Sequence, residues 1–273
     1  MYVWFDALTS YISTLGWPET GGFEKYWEQI GAEKREVVQY CGKDNLLQQS
    51  AIWQGMLLAA GLPNTSNIII DGFIISGGQK MSKSIGNVIN PFDIIEMFKE
   101  LTDCPEDVLR FILLHEVPSF EDGDLTVEAI KIAYTAYLAN GIGNLTSRIM
   151  KMATSYNVTL SVENFEKKYF LNNPELSIKK VLSESLNVFD TNLGIKGIFL
   201  FLNNLDKVIQ EKEPYKLIKT DENKAKEIVE FLLYNLYITS LSLGIFLPST
   251  STKILECIRE NKMPEKPLFN RLP

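Results

Sequence analysis

Residues 37–71 read VVQYCGKDNLLQQSAIWQGMLLAAGLPNTSNIIID, and the periodicity of this stretch decides the fold. Val37-Val38-Gln39-Tyr40-Cys41 is a short run of β-forming residues that ends at Gly42. From Asn45 to Ala60 the apolar residues follow a helical pattern, closed by Gly61 and then Pro63, which stop helices. Asn67 to Asp71 is again rich in β-branched residues, and Phe73-Ile74-Ile75 can extend it. Strand, helix and strand at this spacing predict a βαβ unit, hence a parallel sheet.

Outward from this unit the pattern changes once. Gly77-Gly78-Gln79 breaks the chain into a loop, and after Asp124 it reads as almost wholly helical. Ile130, Tyr134, Leu138, Ile142, Leu145, Ile149 and Met152 recur at three- and four-residue steps, one stripe down a long helix. Similar stripes occupy 176–189, 195–209 and 224–246, with a shorter one after Pro248. The expected architecture is α/β over residues 1–123 and an antiparallel helical bundle over 124–273.

Composition narrows the class. The chain has 273 residues, 45% of them hydrophobic and 22% charged, which fits a folded globular protein and excludes a disordered one. No apolar run reaches membrane-spanning length, and there is no basic-then-apolar signal pattern, so a cytoplasmic location without membrane contact is expected. Cys41, Cys104 and Cys257 lie far apart and form no C-x-x-C pair, which argues against disulfides and against a zinc site. The net charge of −7 is unusual for a nucleic-acid binder, but phosphate contacts need only local basic surface. The stretch from Lys207 to Lys226 is rich in lysine but interleaved with acids, and taken alone it reads as a solvated helix end and loop.

The loop after the βαβ unit carries Lys80-Met81-Ser82-Lys83-Ser84, set between Gly77-Gly78 and Gly86-Asn87. Glycines on both sides permit movement that other residues resist. Two ammonium groups on such a loop can close over a polyphosphate and stabilise the charge that develops on it. A basic surface loop is the bland alternative for two lysines alone. The full string arises by chance in roughly one chain in ten thousand of this length, which weighs against it. KMSKS is the signature of class I aminoacyl-tRNA synthetases, which this region resembles. The frame from Asp71-Gly72-Phe73 through Gly78-Gln79 to Asn87-Val88-Ile89-Asn90-Pro91 is similar to that of the methionine–tRNA ligase family in particular. The resemblance implies that Lys83 contacts the ATP phosphates with Lys80 in support, and that Met81, Ser82 and Ser84 belong to the nucleotide-binding segment.

Gly42-Lys43-Asp44 ends the first predicted strand, where ligands of open parallel sheets bind. Asp44 can accept from ribose hydroxyls, or cap the helix that begins at Asn45, and both roles are compatible. The resemblance implies adenylate binding for Gly42 and Asp44. Tyr2-Val3-Trp4-Phe5-Asp6-Ala7, read alone, is an aromatic strand end in the core. It resembles the YVWFDA segment of the family, which implies a methionine pocket walled by Trp4, Ala7 and Tyr11. An aromatic wall suits a polarisable thioether. Gln49 stands at a pocket position where many members carry His, and Asn45 where many carry Ile.

Asn144 and Arg148 are four apart and project from one face of the long predicted helix. Alone they read as a polar pair between helices. The stretch Gly143-Asn144-Leu145-Thr146-Ser147-Arg148 resembles the family's anticodon-recognition helix, and Tyr215, after Pro214, stands where the family places a stacking Trp. Single-stranded anticodon bases are read by edge hydrogen bonds and by stacking on flat side chains. The only histidine, His115, replaces a usual Arg and reads as structural.

The resemblance implies an enzyme that activates methionine with ATP, as its Mg2+ complex, and transfers it to a tRNA with a CAU anticodon. Zinc is not expected in this chain. No HIGH-type motif is present, so the chain is expected to be a piece of the ligase lacking its N-terminal half, and inactive alone. Three alternatives stand beside it: a class I synthetase for leucine, isoleucine, valine or cysteine; a non-catalytic tRNA-binding module; and an unrelated nucleotide-binding protein.

Overall fold

The computed structural model describes residues 2–19, 21–27, 36–82, 84–160 and 178–273. Lys83, and residues 176–177 at the start of one predicted helix, lie outside the described residues. The chain divides into two compact units, Met1–Phe73 with Phe120–Asp122, and Ile74–Ser119 with Gly123–Pro273.

The first unit opens with helices α1 (Val3–Ser13) and α2 (Gly22–Trp27). The aromatic opening is thus a helix, not the strand end expected from its β-forming residues. The reason is visible in the burial. Trp4, Leu8 and Ile12 recur at four-residue steps and pack with Phe23, Trp27, Trp53 and Leu57. Val3 and Phe5, which would share one face of a strand, are 69% and 53% exposed. The 3.6-residue period outweighs local β propensity. Trp27 stacks on Phe23 and meets Trp53 edge-on, and its indole N–H donates to the Pro63 carbonyl at 2.9 Å.

Strands β1 (Val38–Gly42) and β2 (Asn67–Asp71) pair in parallel, from Val38 opposite Asn67 to Gly42 opposite Asp71. The crossover is helical, as the sequence predicts, but not uniform. A 3-10 turn covers Lys43–Asn45 and a π turn Gln48–Ile52, and α3 runs Trp53–Ala59. Gly61, at φ +71°, follows it in the left-handed region that glycine tolerates.

Phe73-Ile74-Ile75 does not extend β2. The chain leaves at Gly72, where a Cβ would stand 2.1–2.4 Å from backbone atoms of Glu121 and Asp122. Only glycine permits that approach. In the second unit β3 (Ile74–Ser76) pairs antiparallel with β4 (Gln79–Lys80) and parallel with β5 (Gly123–Asp124).

The remainder is mostly helical. Helices α4 (Pro91–Phe98) and α5 (Pro105–Phe111) precede α6 (Val127–Ala133) and α7 (Asn144–Ser155). The stripe from Ile130 to Met152 is buried throughout. Its helix is interrupted, because π-type turns span Tyr134–Gly143 and Gly141 has a non-helical ψ of −109°. Helices α8 (Ile178–Asn187), α9 (Thr191–Lys212), α10 (Pro214–Leu217), α11 (Glu222–Leu243) and α12 (Pro248–Glu260) complete the unit. Short polar side chains start two of them: Asp190 accepts from the Leu193 amide at 2.9 Å and Asp221 from the Lys224 amide at 3.0 Å. His115 is buried, stacks on Phe111 and pairs with Glu116 at 2.6 Å, a structural arrangement. Among the described residues no helix is long and apolar enough to cross a membrane.

Two stability predictions follow from burial. Tyr134 is fully buried, donates to the Asn270 carbonyl at 2.6 Å, and is pushed by burial from its ordinary value near 10 to about 12. Its folded-state value lies above the unfolded one, so its contribution is complete below about pH 10 and is lost as pH rises through about 12. Tyr134→Phe should remove that part of the alkaline fall, read as denaturant midpoint against pH. Gly72→Ala should destabilise by about 1–3 kcal/mol through backbone collision. Gly55→Ala, where the added methyl meets open space within a helix, should stabilise by roughly 0.5–1 kcal/mol. Urea unfolding of the pair checks the opposite signs.

Candidate functional site

The parallel pairing places Gly42 and Asp71 side by side at the carboxyl ends of the strands. The following 3-10 turn starts at Lys43 with Gly42 in the cap position. Asp44 therefore lies inside the turn and does not occupy the cap of a helix beginning at Asn45. Its exposed carboxylate accepts from the Asn45 amide at 3.4 Å. A Cβ at Gly42 would stand 2.9 Å from Asp44 Oδ1, so glycine at 42 makes room for that carboxylate.

Lys43 was not among the residues singled out, although it lies within the same tripeptide. Its ammonium donates to both oxygens of Asp122 at 2.5 Å and sits 4.5 Å from the Phe73 ring centroid. Asp122 also accepts from the Phe73 amide at 2.8 Å. The Lys43 ammonium, and then that amide, hold the Asp122 carboxyl below the usual carboxylate range. Asp71 moves the other way. Burial raises it, the Phe120 amide draws it partly back, and the Tyr40 hydroxyl donates to it. The two acids at this edge thus shift in opposite directions, Asp122 down and Asp71 up. Burial, and then the charge of Asp44, also raises Cys41.

On the helical side of this unit, Trp4, Ala7 and Tyr11 share one face of α1. Tyr11 is brought to buried Gln49, whose Nε2 donates to the Tyr11 hydroxyl at 3.0 Å. Trp53 lies 5.7 Å from the Tyr11 ring, and its sequence context marks it only as one apolar residue of the helical pattern. Gln49 Oε1 and Trp53 Nε1 are buried without a hydrogen-bond partner among the described residues. One acceptor and one donor are therefore available beside an aromatic wall. Trp53 also lines an apolar cavity of about 620 Å³, with Phe5, Ile12, Trp17 and Met56. Trp4, Ala7, Tyr11 and Gln49 do not line it.

In the second unit the β3–β4 hairpin carries the KMS string. Gly77 and Gly78 form its two-residue turn, at φ +61° and +74°, the left-handed pair that a tight hairpin requires. Lys80 is exposed at the end of β4, and Met81 and Ser82 follow half-buried. Asn87 brackets the loop, accepting from the Ser82 amide at 2.8 Å and donating to the Lys80 carbonyl at 3.3 Å. The hydroxyls of Ser82 and Ser84 lie 2.7 Å apart.

In the helical part of this unit, Arg148 and Tyr215 line one cavity of about 380 Å³, together with Lys151, Tyr156 and Ile209. Asn144 is exposed at the start of α7, one turn before Arg148, and is not part of the lining. Arg148 forms an ion pair with Asp206, whose other oxygen accepts from Gln210. Glu213, in a left-handed conformation, turns the chain into Pro214-Tyr215, and its carboxylate accepts from the Tyr215 hydroxyl at 3.2 Å. Lys151 and Tyr156 were missed. Only the three-residue step from Arg148 to Lys151 signalled either.

Solved structures share this fold. The apo form of Mycobacterium tuberculosis methionyl-tRNA synthetase matches with TM-score 0.78 at 22% identity, covering 100% of this chain and 56% of that one. The same organism's methionyl-tRNA synthetase in complex with methionyl-adenylate matches with TM-score 0.76 at 26% identity, covering 94% and 50%. The fold is that of an aminoacyl-tRNA synthetase. Residues 1–150, more than half of the chain, match the family tRNA synthetases class I (M), and the chain belongs to it. Similar curated proteins are methionine–tRNA ligases. That of Fusobacterium nucleatum subsp. nucleatum is 32% identical over 263 residues, covering 93% of this chain and 39% of the relative. That of Rickettsia felis is 31% identical over 283 residues, covering 100% and 52%. The chain thus spans between two fifths and about half of the relatives it matches.

The electrostatics at the strand tips generate a direct check. Lys43→Met removes the principal cause of the Asp122 shift, so the Asp122 carboxyl should titrate at higher pH, back toward the ordinary carboxylate range. Carboxyl-carbon NMR across an acid titration reads this. An unmoved Asp122 would mean that the Phe73 amide alone sets it.

Proposed function

We propose that this chain carries the phosphate-handling and anticodon-reading parts of a methionine–tRNA ligase. Residues 1–123 belong to the catalytic domain, and residues 124–273 form an antiparallel bundle that recognises tRNA. The methionine carboxylate attacks the α-phosphate of ATP to form methionyl-AMP and displace pyrophosphate, and a terminal ribose hydroxyl of the tRNA then takes the acyl group and displaces AMP. Lys83, supported by Lys80, neutralises charge on the ATP phosphates as they separate, and Met81, Ser82 and Ser84 shape that segment. ATP enters as its Mg2+ complex. Gly42 leaves room for Asp44 to accept from ribose hydroxyls at the strand tip. Trp4, Ala7 and Tyr11 wall the methionine side chain, and Gln49 offers its unpaired acceptor. The protein supplies position and charge, with no covalent enzyme intermediate. The remaining half of the catalytic domain, with the HIGH-type motif, is a required partner.

The observation that carries this reading is the convergence of Arg148 and Tyr215, distant in sequence, on one cavity in a chain that belongs to the family. A guanidinium and a ring around one opening suit an unstacked base.

Methionine-dependent ATP–pyrophosphate exchange tests the catalytic part. The 273-residue chain alone should show none. Supplying the complementary N-terminal half, in one polypeptide or two, should restore exchange with methionine and not with leucine, isoleucine, valine or cysteine, and Lys80→Ala should lower kcat. Binding of a CAU-anticodon tRNA tests the rest. Arg148→Ala and Tyr215→Ala should each weaken it by roughly 1–3 kcal/mol, leaving methionine-dependent exchange unchanged. Tight, CAU-selective binding with no exchange under any complementation would instead make the chain a non-catalytic tRNA-binding module.

A further inference from the structure

We infer that Asp124 is the positioning residue that sets the lysine-bearing hairpin arm at its root. The inference rests on reading Lys80 as a phosphate-handling residue, and it adds a group that neither the motif nor the family match assigns.

The arm is weakly built. Its ladder consists of two residue pairs, Ile75 with Lys80 and Ser76 with Gln79. Its turn is two glycines whose missing Cβ atoms face open space, so no packing holds the turn in place. In such a turn the two central amides point outward, away from the ladder. Here both meet one carboxylate. Gly77 N–H donates to Asp124 Oδ1 at 2.8 Å and Gly78 N–H to Oδ2 at 2.9 Å. Successive backbone amides of a turn form a concave anion site, and Asp124 fills it from within the chain.

Asp124 is itself anchored. It lies on β5 opposite Ile75 of β3, and the next amide, Leu125 N–H, donates to the Ile75 carbonyl at 2.9 Å. Leu125 is buried at 2% exposure, so the strand bearing the carboxylate is tied to the core of its unit. The carboxylate reaches from that fixed strand over the hairpin root. It constrains the two residues whose dihedrals aim β4, and therefore aims Lys80. Farther out, Asn87 ties the Lys80 carbonyl to the Ser82 amide, which keeps the loop's shape without fixing its direction.

Asp124 touches neither phosphate nor methionine in this scheme, so its effect is on the geometry of transfer. The test compares Asp124→Ala, Asp124→Asn and Lys80→Ala in the chain complemented with the N-terminal catalytic half. Asp124→Ala should lower kcat for methionine-dependent exchange by roughly tenfold to a hundredfold, the scale of misplacing a charged group by about 1 Å, with KM for methionine unchanged. Asp124→Asn, which keeps the size but only one acceptor, should fall between, and it carries the test if the alanine variant folds poorly. In the 273-residue chain itself, the Gly77 and Gly78 amides should exchange with solvent roughly tenfold faster or more in Asp124→Asn, at unaltered melting temperature. Unchanged amide exchange, or unchanged kcat beside a crippled Lys80→Ala, overturns the assignment of Asp124 while leaving the lysine reading intact. If Lys80→Ala is itself harmless, it is the lysine reading that fails, and the two results separate the cases.

Discussion

Two parallel strands cannot be joined by a tight turn, and this constraint arranges the whole first unit. The chain leaving β1 at Gly42 must travel back along the sheet before β2 can begin at Asn67, and the helical crossover does this. Both strands then end at the same edge. Gly42 stands opposite Asp71, Lys43 and Asp44 follow at once, and Phe73 is next along from β2. The concentration of polar groups there is a product of topology. Residues far apart in the chain meet because parallel pairing delivers their strand ends together. The close backbone approach at Gly72 adds residues 120–122 to the same edge, and with them Asp122.

Much of this was legible in the sequence, and the misreadings have physical causes. The strands at 38–42 and 67–71 announce themselves by β-branched runs bounded by glycine, polar residues and proline. The helices after residue 126 announce themselves by apolar stripes, of which the one from Ile130 to Met152 is buried throughout. The aromatic opening misled because Tyr, Val, Trp and Phe favour strands. The four-residue recurrence of Trp4, Leu8 and Ile12 was present but required a partner surface, Trp27 and Trp53, that no local window contains. The extension of β2 through Phe73 failed for a similar reason, since Gly72 is demanded by backbone from a distant segment. Gly141 marks the interruption of the long helix, yet nothing in its neighbours distinguishes it from a tolerated helical glycine.

For the candidate site, the sequence singled out residues by type but not their pairing. A motif names Lys80, Asp44, Arg148 and Tyr215, but it does not reveal that Arg148 is held by Asp206 or that Lys43 is held by Asp122. These ion pairs also bear on how a net charge of −7 is distributed over the surface. Basic groups are neutralised locally, Lys216 by Glu213 and Lys226 by Glu222 as much as Arg148 by Asp206, so total charge says little about any one opening. The exposed lysine pairs are worth little to stability, whereas Arg148–Asp206 is half-buried. Asp206 holds the Arg148 guanidinium in place beside the opening that it shares with Tyr215.

The same logic separates the two ends of the lysine-bearing arm. Lys80 is exposed, on a strand of two residues, where its position is cheap to change. The root is different, because Gly77 and Gly78 direct their amides at a carboxylate on a strand fixed to the core. This division has an entropic consequence for the direction of the arm. Free dihedrals in a glycine turn would spread the lysines over many directions, and each direction lost on binding would cost entropy. A turn built from β-branched or bulky residues would strain the left-handed pair. Glycine supplies the conformation and a carboxylate supplies the restraint, so the arm is pre-aimed without being locked.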